Sequence, residues 1–152
     1  MSMCGNYVAI PEEKLNEALY EGASLSRFVF DEANDPFITR GGLEQAWDAF
    51  RHLFQNDIPE LLGEDFLEDA DLGEGCCLIA PSLVASIAGR LATVTPEALK
   101  ERFDAEEFQS ADFYWENVWK EAFEDILSMF TRLAAFFKAA ARRGDTVFFY
   151  VC

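Results

Sequence analysis

The side chain with the widest chemical repertoire in this chain occurs once, as His52. Asp48 stands four positions earlier, a spacing that on a helix sets a carboxylate on the same face, where it can orient an imidazole. No serine or cysteine motif stands close by to complete a nucleophilic triad. No catalytic residue is therefore assigned, and His52 reads first as a surface or half-buried helix histidine. One histidine also excludes a histidine metal cluster by count. The four cysteines, Cys4, Cys76, Cys77 and Cys152, make no CxxC pair and no spaced ligand set. Adjacent Cys76 and Cys77 could close only a strained ring disulfide, and they read instead as small buried hydrophobes beside Leu78 and Ile79.

Residues 57–74 carry eight acidic side chains and no basic one, which raises calcium as a ligand. An EF-hand loop needs oxygen ligands at its first, third and fifth positions, glycine at the sixth and glutamate at the twelfth. Starting at Asp69 puts Asp71 third but Gly73 fifth, Glu74 sixth and Ala80 twelfth, and starting at Asp65 puts Leu67 third. Both registers fail. Gly41-Gly42 and Gly73-Glu74-Gly75 lack the lysine or the third glycine of a phosphate-cradling loop, so they read as turns. No metal and no cofactor is expected.

Charge limits the partners. The 152 residues hold 28 acidic against 12 basic side chains. Such a surface repels phosphate backbones and anionic bilayers, which argues against nucleic-acid and membrane partners and permits a basic protein. Plain solubility explains the same charge, and it is the simpler account. The sequence shows no secretory signal and no apolar run near the ~20 residues of a membrane span. Ser2 stands where myristoylation requires glycine, and Cys152 is not in a prenylation box. A reduced, cytoplasmic setting is the expectation.

The elements that must position these residues can be read from periodicity. Half of the chain is hydrophobic and 15 residues are Phe, enough for one sizeable core. Met3 to Ile10 reads as a strand. Pro11 opens a helix with Glu12 and Glu13 at its positive end, and Gly22 stops it. Residues 24–30 fit a strand or a short helix, and residues 31–42, with Pro36 and two glycines, fit a loop. A helix is predicted from Leu43 to Asn56, and a short acidic helix within residues 57–74, on the spacing of Leu61, Leu62, Phe66 and Leu67. Cys76 to Ala80 reads as a strand and Pro81 to Leu91 as a helix. Thr95-Pro96-Glu97 starts another helix, with Leu99 and Phe103 on its buried side.

The clearest element is a helix from Trp115 to Arg143. Trp119, Phe123, Ile126, Phe130, Leu133, Phe137 and Ala140 step by fours and threes along one stripe. Further apolar positions such as Met129 and Phe136 widen that stripe beyond a coiled-coil seam, so the helix belongs in a core. Thr146 to Val151 is apolar throughout and closes a sheet covered on both faces. The two outermost strands are expected to share that sheet, with Val8 near Phe148. The predicted fold is a helix-rich α+β single domain over residues 1–152. Its small sheet includes both terminal strands and packs against a long C-terminal helix.

Several stretches together resemble the bacterial YfbM-like family, a domain of unknown function. They are the opening Met1 to Tyr7, Glu44-Gln45-Ala46-Trp47-Asp48, the Gly75 to Val84 strand-to-helix passage, Phe113-Tyr114, and Phe136 to Gly144 before a last strand. The family pattern carries lysine two residues before the tryptophan and often histidine four after it. Here those places hold Gln45 and Arg51, with His52 displaced by one. The resemblance implies a fold and a cytoplasmic setting but no activity.

Two readings of function follow. In the leading one the chain is a non-catalytic binding protein, an inhibitor or immunity-type partner of a basic protein. Its means are the 57–74 acidic run and an aromatic edge at Phe113-Tyr114-Trp115 with Trp119. In the alternative, Trp47, Asp48, Arg51, His52 and Tyr114 border a small-ligand or enzymatic pocket, with Trp115 kept as a further candidate binding residue. Because residues four apart share a helix face, Arg51 rather than His52 should lie with Trp47.

Overall fold

A computed structural model describes residues 3–19, 24–113 and 122–152. Its sheet has five strands: β1 (Gly5–Ile10), β2 (Thr39–Glu44), β3 (Asp65–Leu67), β4 (Cys76–Ile79) and β5 (Thr146–Val151). They lie in the order β2-β1-β5-β4-β3, and every neighbouring pair is antiparallel. The first and last strands thus make the middle of the sheet, and Val8 pairs with Phe148 as its register requires.

Alternation explains why both central strands are apolar throughout. Successive side chains on a strand point to opposite faces, and here each face has its own core. Tyr7, Ala9, Val147 and Phe149 join one cluster, while Val8, Ile10, Phe148 and Tyr150 join the other. The first core is roofed by α3 (Trp47–Phe54), α4 (Pro81–Ala92), α5 (Pro96–Asp104), α6 (Glu106–Ser110) and α7 (Phe123–Arg143). The second is covered by α1 (Glu12–Ala18) and α2 (Leu25–Phe30).

In α7 the predicted stripe is the buried one: Ile126, Phe130, Leu133, Phe137 and Ala140 all lie inside, with Met129 and Phe136 beside them. Each such side chain is worth roughly 1.5–3 kcal/mol of apolar burial when large. Glu124 and Asp125 occupy the first turn and Arg142 and Arg143 the last, matching the helix dipole. Gly144 ends the helix at φ 70° and its N–H caps Ala140 and Ala141 carbonyls. The earlier part of the predicted helix, from Trp115, lies outside the described residues, as do the Gly22 stop and most of the Phe113-to-Trp119 aromatic patch.

Three sequence expectations are corrected. Residues 31–42 are not a loop: Glu32–Phe37 form a 3-10 helix capped by the Asp31 carboxylate, and Thr39–Glu44 form β2. The glycines there fit a strand because a Cβ on Gly41 would press into the Phe136 ring. The helix predicted from Leu43 begins only at Trp47, since Leu43 and Glu44 complete β2. Residues 57–74 hold no helix. They run as turns around the three-residue β3, because Gly63 sits at φ 98° where a Cβ would overlap the Cys77 Cβ. Helical backbone is unavailable to a residue held there. Residues 24–30 resolve as the short helix α2, whose N-cap Ser24 accepts from the Arg27 N–H at 3.0 Å.

Candidate functional site

Two surface features gather polar chemistry, and the first is built on the acidic run. Its opening residues are neutralised. Arg102 forks onto both Asp57 oxygens, at 2.9 and 2.7 Å, and donates to the Leu53 carbonyl at 3.3 Å. Arg90 pairs with the mostly buried Glu60 and donates to the Asp57 carbonyl at 2.8 Å. Beyond this point compensation stops: Glu64, Asp65, Glu68, Asp69 and Glu74 are exposed and make no ion pair with a described residue.

Asp71 has a different task. Its carboxylate accepts from the Ser24 hydroxyl and from the Ser26 N–H at 2.9 Å, which ties the segment to the start of α2. These hydrogen bonds, the Ser24 hydroxyl foremost, hold its carboxyl below the ordinary value. Between the tied segment and the α1–α2 region lies a groove of about 910 Å³. Ala18, Leu25, Leu67 and Ala70 give it an apolar lining, and Glu68, Asp69 and Asp71 supply acid. Two large apolar side chains border it while facing water: Leu19 at 43% and Phe66 at 57% exposure. Phe66 can lie so because Gly75 leaves room for its ring; a Cβ there would collide with it.

The second feature is a cleft of about 400 Å³ beside α3. Asp48, Arg51, His52 and Gln55 line one side, and Pro59, Ala111, Asp112 and Phe113 the other. Arg51 reaches Asp48 at 2.5 Å and lies over the Trp47 ring, 5.8 Å from its centroid. The i,i+4 pairing of Trp47 with Arg51 is thus present. The expected orientation of His52 by Asp48 is replaced by the Asp48–Arg51 pair, because the guanidinium three residues on offers a full opposite charge. His52 is half-buried against the rings of Phe108 and Phe113, at 6.0 and 5.6 Å between centroids. Trp47 stands outside the cleft lining and donates its indole N–H to the Met3 carbonyl at 3.2 Å. Tyr114 and Trp115 lie outside the described residues.

Of the sequence-derived candidates, the structure therefore brings Asp48, Arg51 and His52 to one cleft and leaves Trp47 next to it. The groove at Leu19 and Phe66 was missed. Its only sequence signal is the acidic run; its other wall comes from α1 and α2, some 45 residues away, as the Ser26–Asp71 bond shows.

The remaining titratable groups of interest are structural. Burial, and then the neighbouring Cys77, push the Tyr7 hydroxyl well above its ordinary value, and it donates to the Leu61 carbonyl at 2.7 Å. Burial raises the Cys76 thiol to about 11, with Cys77 and Asp71 adding to it, and burial raises Cys77 as well. In both, burial disfavours the thiolate, the form that would act as a nucleophile. Among the described residues no group of three or more His, Cys, Asp or Glu is placed to hold a metal ion. Among them, too, no helix is long and apolar enough to cross a membrane.

The family described as "Domain of unknown function (DUF1877)" matches residues 1–150. Among solved structures, the fold is similar to that of YfbM from Escherichia coli, itself described as a protein of unknown function. The TM-score is 0.66 at 19% identity, over 96% of this chain and 98% of that one. A search of curated proteins finds no match. The chain belongs to the DUF1877 family.

Proposed function

We propose that this member of the DUF1877 family is a non-catalytic binding protein that docks a basic polypeptide segment on its acid-rimmed groove. The observation that carries this reading is the pairing of exposed Phe66 and Leu19 with Glu64, Asp65, Glu68, Asp69 and Glu74, which make no ion pair with a described residue. Exposed aromatics anchor interfaces, and a one-signed rim selects the opposite charge and speeds encounter. The neighbouring strand β3 lies at the edge of the sheet, so an extended segment could add to it through main-chain hydrogen bonds. Such a surface suits an inhibitor or immunity-type role toward a basic protein.

The test uses a fluorescent peptide alternating lysine with valine, and a counterpart with glutamate for lysine, followed by anisotropy at low and high salt. The lysine peptide should bind and weaken as salt rises, and the double variant Phe66→Ser, Asp69→Asn should bind it several-fold less tightly. Equal binding of both peptides, or no loss in the variant, would overturn the reading.

A second reading places a small ligand in the cleft beside α3, supported by the convergence of Asp48, Arg51, His52 and Gln55 there. A ligand screen followed by NMR decides it: hits must shift the His52 ring signals and lose affinity in Arg51→Ala. Hits that leave His52 unmoved count against the cleft.

A further inference from the structure

The four thiols are free, yet two of them belong to residues opposed at the end of the central strand pair. The Cys4 N–H donates to the Cys152 carbonyl at 2.8 Å, and the Cys152 N–H donates to the Cys4 carbonyl at 3.1 Å. This mutual exchange makes them a directly opposed pair, one rung beyond Gly5 and Val151 in the β1–β5 ladder. Opposed residues of an antiparallel pair put their side chains on the same face, and a hydrogen-bonded pair has Cα atoms about 5.5 Å apart. That separation is inside the roughly 4.4–6.8 Å range of disulfides. The Asn6 amide confirms the shared face: its Nδ2 donates to the Cys4 carbonyl at 2.9 Å and to the Cys152 Sγ at 3.5 Å.

Access singles out Cys152 among the four thiols, since Cys77 is half-exposed like Cys4. Cys152 is exposed and Cys4 half-exposed, whereas Cys76 is buried with its thiol raised to about 11. Closing a bridge needs the two Cβ atoms to approach by about 1 Å. Both residues lie just outside the strands they extend, where the ladder gives most readily.

We propose that Cys4 and Cys152 are an oxidation site that closes to an intramolecular disulfide when met by a small-molecule disulfide such as oxidised glutathione. The exposed Cys152 thiolate attacks one sulfur of that disulfide and expels a thiolate. The Cys4 thiolate then attacks the Cys152 Sγ and expels the second. The protein loses two hydrogens, the oxidant is reduced to two thiols, and the protons given up at Cys4 and Cys152 end on them. The bridge ties the outer rung of β1 to that of β5 and encloses nearly the whole folded chain in one loop, so the unfolded state is the more constrained.

The experiment equilibrates the full chain with mixtures of reduced and oxidised glutathione. Intact mass and non-reducing peptide maps then identify the product. The expected product has lost two hydrogens, links the peptides of Cys4 and Cys152, and melts roughly 5–10 °C higher than the reduced chain. All three changes should vanish in Cys4→Ser and in Cys152→Ser and persist in the Cys76→Ser, Cys77→Ser double variant. A stable glutathione adduct on Cys152 without closure would overturn the proposal. So would a covalent dimer through Cys152, or a bridge between Cys76 and Cys77.

Discussion

Between Phe123 and Val151 the large apolar side chains find the core: Phe130, Phe136, Phe137, Phe148 and Phe149 are all buried. Between Asp57 and Gly75, Ile58, Leu61 and Leu72 are buried too, but the backbone also follows a handful of point contacts, and Phe66 is left 57% exposed. The first region is shaped by area. Its apolar positions recur at helix or strand period, so one orientation of each element buries nearly all of them. The second is shaped by anchors: two arginines on Asp57 and Glu60, the Tyr7 hydroxyl on the Leu61 carbonyl, Gly63 against Cys77, and Asp71 on Ser24 and Ser26. A segment held by area resists single changes outside its stripe. One held by anchors fails at the anchors and tolerates change elsewhere, which leaves room for a surface to evolve for binding.

The largest expected effect probes the area-held region. Phe137 is fully buried and touches the Tyr7 ring at 5.4 Å, so Phe137→Ala should cost about 3–5 kcal/mol in urea unfolding. Next comes an anchor. Gly63→Ala forces an L side chain to φ 98° and into Cys77, and should cost about 2–4 kcal/mol. A loss under ~0.5 kcal/mol, the range of ordinary surface changes, would break the comparison, since the acidic segment would then not be pinned at that point.

The smallest effect concerns Asp71. Its folded-state carboxyl is depressed below the ordinary value of 3.8, so its stabilising contribution is present above that value. It is lost as pH falls through the lower folded value. Because the group is exposed, Asp71→Asn should cost under about 1 kcal/mol at neutral pH. Thermal melts of the two proteins should converge below pH 3.8. A difference that persists in acid would mean that geometry, not charge, makes this tie.

The same division explains what could be read in advance. The α7 stripe and the Val8–Phe148 register were legible because burial follows period, and period is local in sequence. Strand β2 was not, because Thr39-Arg40-Gly41-Gly42 carries loop-forming residues that become a strand only by pairing with β1, with Phe136 packed where a Cβ on Gly41 would stand. The acidic helix failed for a related reason: Leu61, Leu62, Phe66 and Leu67 have the spacing, but Gly63 stands at φ 98°, packed so close to Cys77, fourteen residues away, that a Cβ would not fit. At the cleft, the Asp48–Arg51–Trp47 relations were available because three- and four-residue spacings on one helix are geometric facts. The groove needed α2 and residues 66–71 to meet, and no short-range pattern encodes that meeting.

The strand order has a consequence for the chain as it is made. The central strand pair joins residues 5–10 to residues 146–151, so contacts of very large sequence separation are also those on which both cores depend. Contacts of this kind are entropically costly to close and slow to form. As the polypeptide leaves the ribosome, β1 can pair with β2 early, but its other edge, carrying Tyr7, Val8 and Ile10, must wait for β5 to emerge. Until then it is an open apolar strand edge, the kind of surface on which nascent chains mispair and chaperones bind.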